Sequence, residues 1–200
     1  MSSQIDIYNM ALGHLGVTTT VASLTEPSKE RKAMDRFWDA ALEATLRDKD
    51  WPFTTKFKNP GLIGEEPTVE WDYSYRYPTD CLTVRRIMPA DGRGSAVRIP
   101  FRIARDDTAR LIYTDQPEAM IEYTARVSDS SQFPPDFTMA LSFRLAAYTA
   151  PSLTRGDDND LGGRALKMYI LELGLAGANA YNEEQKDPQP DSEFIRERGG

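Results

Sequence analysis

The chain has 200 residues, a formal net charge of −7 and a single cysteine. That length allows one sizeable core with at most a smaller second lobe, and the acidic balance argues against a default nucleic-acid binder, because neutralising phosphates takes surface Lys and Arg. The lone Cys81 excludes an internal disulfide framework and a cysteine-based zinc site.

The start, MSSQIDIYNM, has neither a basic leader nor a long apolar stretch. Near the C-terminal end the apolar run Tyr169-Ile170-Leu171 stops at Glu172, far short of the ~20 residues of a membrane span, so no membrane association is expected. Ile5, Tyr8, Leu12 and Leu15 recur at helical steps and Gly16 is a natural stop, which predicts a first helix. After the loop VTTTVASLTEPS, Thr25 is the expected cap of a second helix, with Glu26 and Pro27 in its first turn. Met34, Phe37, Trp38, Ala41, Leu42 and Thr45 mark its buried face, and Pro52 ends it by about Asp50.

From Trp51 the period changes to two. Phe53, Thr55 and Phe57 alternate with polar positions, NPGLIGEEP reads as a loop, and residues 69–77 and 81–88 read as strands. PADGRGS is a turn. Val97, Ile99, Phe101 and Ile103 alternate again, with Pro100 pointing to an edge or bulged strand. LIYT and AMIEYTA, split by DQPE, read as a hairpin. Residues 136–150 form a helix through Phe137, Leu141, Leu145 and Tyr148. TRGDDNDLGG is a polar linker. A last helix runs over about 161–184 with Leu166, Tyr169, Ile170, Leu173 and Ala176/Gly177 on one side and several small residues that permit close approach.

The order helix, helix, strands, helix, helix argues α+β. The expected packing is a helical bundle built from the N- and C-terminal helices, with an inserted antiparallel β section and an extended C-terminal tail. The units are 1–50 as the N-terminal half of the bundle, 51–128 as the β-rich insertion, 129–186 as the C-terminal half, and 187–200 as a tail.

Little in the sequence points to catalysis. His14 is the only histidine and lies mid-helix with no G-x-S-x-G elsewhere, so a helix-surface or interfacial role is expected. Asp35, Asp39 and Glu43 are four apart; an acid pair for glycoside hydrolysis is imaginable, but a solvated stripe beside Arg31, Arg36 and Arg47 is the expected reading. The DDND at 157–160 fails the calcium-loop spacing and reads as a helix cap. No cofactor, metal site or enzymatic activity is expected. One charge feature stands out: between Arg85 and Arg110, seven arginines accompany three acids, inside an acidic chain. Arginine suits interfaces with carboxylates. Besides an ordinary solvated sheet face, an acidic protein partner and a nucleic-acid-binding module both remain readings of this stretch.

The segment WDYSYRYPTDCL places Trp71, Tyr73, Tyr75 and Tyr77 on one strand face, which is the apolar face of the β section and also a surface suited to a neighbouring subunit. Pro78 and Thr79-Asp80 then turn the chain into the next strand. NMALGHLG, the S-L-x-E loop, RDKDWPF and Y-x-Y-x-Y-P-x-D-C-L, in this order, resemble the tail tubular protein A family of short-tailed phages and related head-to-tail adaptor proteins. The resemblance is sharpest at Trp51-Pro52-Phe53 and at Tyr75–Leu82, and extends loosely through PPDFTMALSFRLAAYTA.

The resemblance implies a virion structural protein of the tail or neck, made in the host cytoplasm. Such a protein sits as a dodecameric ring under the portal. It would join the portal protein above to nozzle or fibre proteins below, with genomic DNA passing through the channel without sequence-specific binding. Its partner surfaces are expected at Tyr73, Tyr75 and Tyr77, at Arg98, Arg102 and Arg105, and at Phe194, Ile195, Arg196 and Arg198 of the tail, the candidate arm.

Overall fold

A computed structural model describes residues 2–90, 98–157 and 159–183. Over these described residues the fold is α+β, with four helices and two antiparallel sheets.

The first helix, α1 (Gln4–His14), opens with a reciprocal cap. The Asp6 amide donates to the Ser3 hydroxyl, and the Asp6 carboxylate accepts from the Ser3 amide at 2.8 Å. It closes just before Gly16, whose φ of +69° is the left-handed conformation a helix stop needs. The Asn9 side chain then bonds the Val21 backbone twice, at 2.8 and 3.0 Å, which pins the following loop to α1.

The second helix, α2 (Lys29–Asp48), is capped by Ser28, not by Thr25. Pro27 lies outside the helix, and Glu26 instead turns back to accept from the Ala22 and Ser23 amides and the Ser28 hydroxyl. The chain leaves the helix at Lys49, in extended conformation, slightly before the expected end.

A 3-10 turn at Pro52–Thr54 leads into β1 (Thr55–Lys58), followed by β2 (Leu62–Thr68), β3 (Trp71–Arg76) and β4 (Cys81–Met88). Sequence reading took β2 for a loop because of Gly61, Gly64 and Pro67. It is an edge strand whose register with β3 slips near Gly64, and an edge tolerates both residue types. The turn expected over PADGRGS falls mostly on residues 91–97, outside the described residues.

Val97 of the predicted strand lies outside the described residues, and from residue 98 on only β5 (Arg102–Arg105) is strand. Pro100 precedes it, and β5 is indeed an edge. The strands β6 (Arg110–Thr114) and β7 (Met120–Ala125) do not form the expected hairpin. The first pairs with β3 and β5, the second with β1 and β4. The 115–119 link carries the chain from one sheet to the other. Ile112 of β6 and Ile121 of β7 therefore meet face to face in a core and not edge to edge.

After a short turn come α3 (Pro135–Leu153) and α4 (Leu161–Glu183). The cap expected of DDND is present: Asp157 accepts from the Gly162 amide.

Two cores result. One joins α1, α2 and α3 with the inward side of α4: Tyr8, Leu12, Leu42, Trp51, Phe137, Leu141 and Tyr169 are all buried in it. The other lies between the sheets, with Tyr75, Val84, Ile112, Ile121 and Tyr123 inside. A polar seam connects them. The half-buried Arg85 donates to Thr55 Oγ1 at 2.6 Å, Thr124 Oγ1 at 2.9 Å and Thr54 Oγ1 at 3.1 Å, and reaches the Trp51 carbonyl at 3.3 Å and Asp50 at 2.9 Å.

Candidate assembly surfaces

The expected surface residues divide sharply. Tyr75 and Tyr77 are only 3% and 8% exposed, so packing within the chain takes the area that a neighbour would need. The Tyr75 hydroxyl donates to the Gln116 carbonyl at 2.9 Å. Tyr73 is half-buried and, with Tyr75, Leu62 and Pro117, lines an open groove of about 510 Å³. An alternating aromatic strand in a two-sheet domain meets its own opposite sheet first, which is why Tyr75 and Tyr77 are buried within the chain and not displayed on its surface.

The arginine stretch also divides. Arg85 is internal, and Arg86 pairs with Glu122. Arg102 lies 3.6 Å from Glu70, both largely exposed. Arg98 and Arg105 are exposed. The stretch is therefore not one continuous phosphate-binding stripe. Phe194, Ile195, Arg196 and Arg198 lie outside the described residues.

The acids of α2 are engaged in structure. Asp35 accepts from the Tyr8 hydroxyl at 2.8 Å and pairs with Arg31, while Asp39 and Glu43 hold Arg126 at 2.8 and 2.9 Å. An acid pair needs two carboxylates facing a cleft; these two share one guanidinium. His14 stacks on Phe143 with ring centroids 3.8 Å apart, and its Nε2 lies 2.9 Å from Ser142 Oγ. Burial pushes its imidazole below the usual 6.5. Among the described residues no three His, Cys, Asp or Glu side chains gather as a metal site would require, and no helix is long and apolar enough to cross a membrane.

The surface with the clearest unmet demand is the outer side of α4. Its inner side combines the small Gly162, Ala165 and Ala176 with Tyr169, and Leu161 and Leu173 pack against the same core. A Cβ on Gly162 would come within 3.0 Å of Ala150 Cβ and 3.2 Å of the Ala147 carbonyl, so α3 and α4 touch almost backbone to backbone there. Tyr169 donates to Asp48 at 2.7 Å and accepts from Arg144 at 2.7 Å, which fixes the rotation of α4 against α2 and α3.

With that rotation, Leu166, Met168, Ile170, Leu171 and Leu175 face outward, each 40–62% exposed. Sequence reading placed Leu166 and Ile170 on the buried side and overlooked Leu171 and Leu175. The spacing of Gly162, Ala165 and Ala176 carried the information, since the side that approaches α3 most closely must be the one with the smallest side chains. Scattered apolar residues on a surface are ordinary; a contiguous helix face of them is the usual mark of an interaction site.

No family model matches the chain, and no curated protein matches it.

Proposed function

We propose that the protein is a structural adaptor of a short-tailed phage virion, one subunit of a ring between the portal and the tail nozzle or fibres, around the DNA exit channel. The observation that carries this reading is the outer face of α4. Leu166, Ile170, Leu171 and Leu175 lie on a helix whose other side is already packed, and among the described residues nothing covers them. In this reading the helical bundle from both ends of the chain and the 51–128 insertion are distinct building units, and α4 presents the bundle's contact surface. The work is mechanical, done by surfaces that a second molecule completes.

A closed ring needs a heterologous contact, one patch meeting a different patch on the next copy. The α4 face supplies one side of such a contact. The exposed Arg98, Arg102 and Arg105 supply a basic side in a chain that is acidic overall, which suits an acidic neighbour. Genomic DNA passes the ring without sequence-specific contacts.

The deciding measurement is the mass of the purified chain alone and mixed with portal rings. A small species alone and a large defined complex on mixing support the adaptor. Absence of any complex, together with turnover of a small substrate by the single chain, would replace it with an enzymatic role. In the same assay, Ile170→Glu/Leu171→Glu should abolish complex formation while leaving the circular dichroism spectrum unchanged.

A further inference from the structure

Both edges of the four-stranded sheet are open. Its order is β2-β3-β6-β5, so among the described residues β2 and β5 each pair on one side and leave the other side of their backbone unpaired. Such an edge is a template for one more strand.

A row of side chains crosses this sheet at one level. Leu62 of β2 is paired with Tyr75 of β3, Tyr75 with Ile112 of β6, and Ile112 with Ile103 of β5. Directly opposite residues share a face, and this face turns toward the other sheet. The middle of the row is closed, with Tyr75 3% and Ile112 0% exposed. Its two ends are not: Leu62 is 51% exposed and Ile103 36%. At the Leu62 end lies the open groove, walled by Pro60, Leu62, Tyr73, Tyr75, Pro117 and Ala119. A strand added along β2 would lay its own core-side residue over that groove.

The two edges also differ in charge. The sequence of β5 is RIAR, with Arg102 and Arg105 exposed and Arg98 exposed just before it. The sequence of β2 is LIGEEPT, with two acids and no base. Arg102 approaches Glu70 of its own chain at 3.6 Å, but both are largely exposed, and such a pair holds an arginine only weakly. Pairing β5 with β5 would set arginines against arginines, and β2 with β2 acids against acids. Pairing β5 with β2 sets opposite charges across the ladder, which is the favourable arrangement.

Strand direction fits as well. Three antiparallel steps separate β2 from β5, so the two edge strands run in opposite directions. A second copy set beside the first, related to it by rotation about an axis along the strands, therefore offers its β2 antiparallel to β5. That is the pairing used in the rest of the sheet, and the contact is heterologous, so it repeats from copy to copy.

We infer that β5 of one copy pairs antiparallel with β2 of the next, continuing the sheet across the subunit boundary. Ile103 then closes the groove beside Leu62, and the arginines of β5 lie against the acidic stretch of β2. The inference deepens the adaptor reading and rests on it for the ring, whose subunit contact it names.

The test is cross-linking between two singly substituted full chains, Leu62→Cys and Ile103→Cys, one of them carrying a mass tag. A short bismaleimide is added with and without portal rings. Wild type controls for Cys81, which is 6% exposed. A covalent dimer holding one of each variant is expected, well above the dimer that either variant gives alone. Arg102→Glu/Arg105→Glu on the Ile103→Cys chain should reduce the mixed dimer about tenfold. Glu65→Arg/Glu66→Arg on the Leu62→Cys chain should restore it, with circular dichroism unchanged throughout. A mixed dimer no more abundant than the same-variant dimers, or unmoved by the charge changes, overturns the proposal. The two readings fail separately. Portal complexes that form without the mixed cross-link sink the edge pairing and leave the adaptor standing. A mixed cross-link without any portal complex does the reverse.

Discussion

The helical core and the sheet core are closed in different ways. The helical core draws on residues from Ile7 to Trp51 and again from Phe133 to Ala176, so it exists only when the two ends of the chain meet. The sheet core uses residues from Tyr75 to Ala125, one continuous stretch. The middle of the chain therefore carries its own packing, and the ends depend on each other. What joins the two is a seam with Arg85 at its hub, flanked by Leu82 of β4 packed against the helical core and by Arg126 held between Asp39 and Glu43 of α2. A polar link between two separately packed cores is the kind most sensitive to the loss of a single partner.

The sharpest way to separate the cores is Trp51→Ala. Its indole lies edge-on to Phe137 with centroids 5.0 Å apart, and its Nε1 donates to the Thr45 carbonyl at 2.8 Å. Truncation should lower the stability of the helical core by about 4 kcal/mol, read by chemical denaturation. Hydrogen exchange should rise first in α2 and α3 and only later between the sheets. Equal and simultaneous loss in both regions would show that the two cores unfold as one.

Arg85→Ala attacks the seam instead. It takes the shared donor away from the Thr54, Thr55 and Thr124 hydroxyls and leaves the largely buried Glu122 with Arg86 alone, while Asp50, 74% exposed, turns to water. A loss of about 3 kcal/mol is expected, with exchange rising at β1 and the Pro52–Thr54 turn while the interiors of both cores stay protected. Arg85→Lys should recover little, because an ammonium cannot reproduce a guanidinium fork that serves several acceptors at once.

The two sides of α4 sharpen the same contrast at smaller scale. Gly162→Ala gains helix propensity of about 1 kcal/mol but forces a methyl against Ala150 and the Ala147 carbonyl, and overpacking of this kind costs about 2 kcal/mol. A net loss of about 1 kcal/mol is expected in thermal denaturation. On the opposite side Leu171→Glu should shift stability by no more than about 0.5 kcal/mol, since that side chain is 59% exposed.

Much of this arrangement was legible in the sequence and some of it was not, for identifiable reasons. The four helices announce themselves because their apolar residues recur at 3.6 over many turns. Strand β3 does so through Trp71, Tyr73, Tyr75 and Tyr77. Strand β2 was hidden because Gly61, Gly64 and Pro67 signal a loop wherever they occur, and only a partner strand overrules them. The β6–β7 relation was hidden for a deeper reason: alternation says which side of a strand is buried, not whether the next strand lies beside it or across from it. The burial of Tyr75 and Tyr77 follows from that same crossing of the chain. The rotation of α4 is legible at Tyr169, Leu173 and Ala176, which turn inward, and not at Leu166 and Ile170, because large apolar residues run most of the way round the helix and only its closeness to α3 decides which of them turn outward.

The smallest expected effect belongs to His14, where the helical core meets an open cavity shared with Arg164, Leu161 and Met168. The Ser142 hydroxyl donates to the Met139 carbonyl at 2.7 Å, so toward His14 it accepts. The neutral ring therefore carries its proton on Nε2. Burial holds the folded imidazole below 6.5, so as pH falls through that value the unfolded chain takes up the proton first. Stability should decline from pH 6.5 down to the folded value and be flat in this respect above 6.5. The depressed carboxylates of Asp6 and Asp80 act in a separate window, since their contribution is lost only as pH falls below 3.8. Urea melts of wild type and His14→Gln between pH 5 and 7.5 isolate the histidine. The slope should vanish in the variant, and a slope that survives it would assign the titration to a group other than His14.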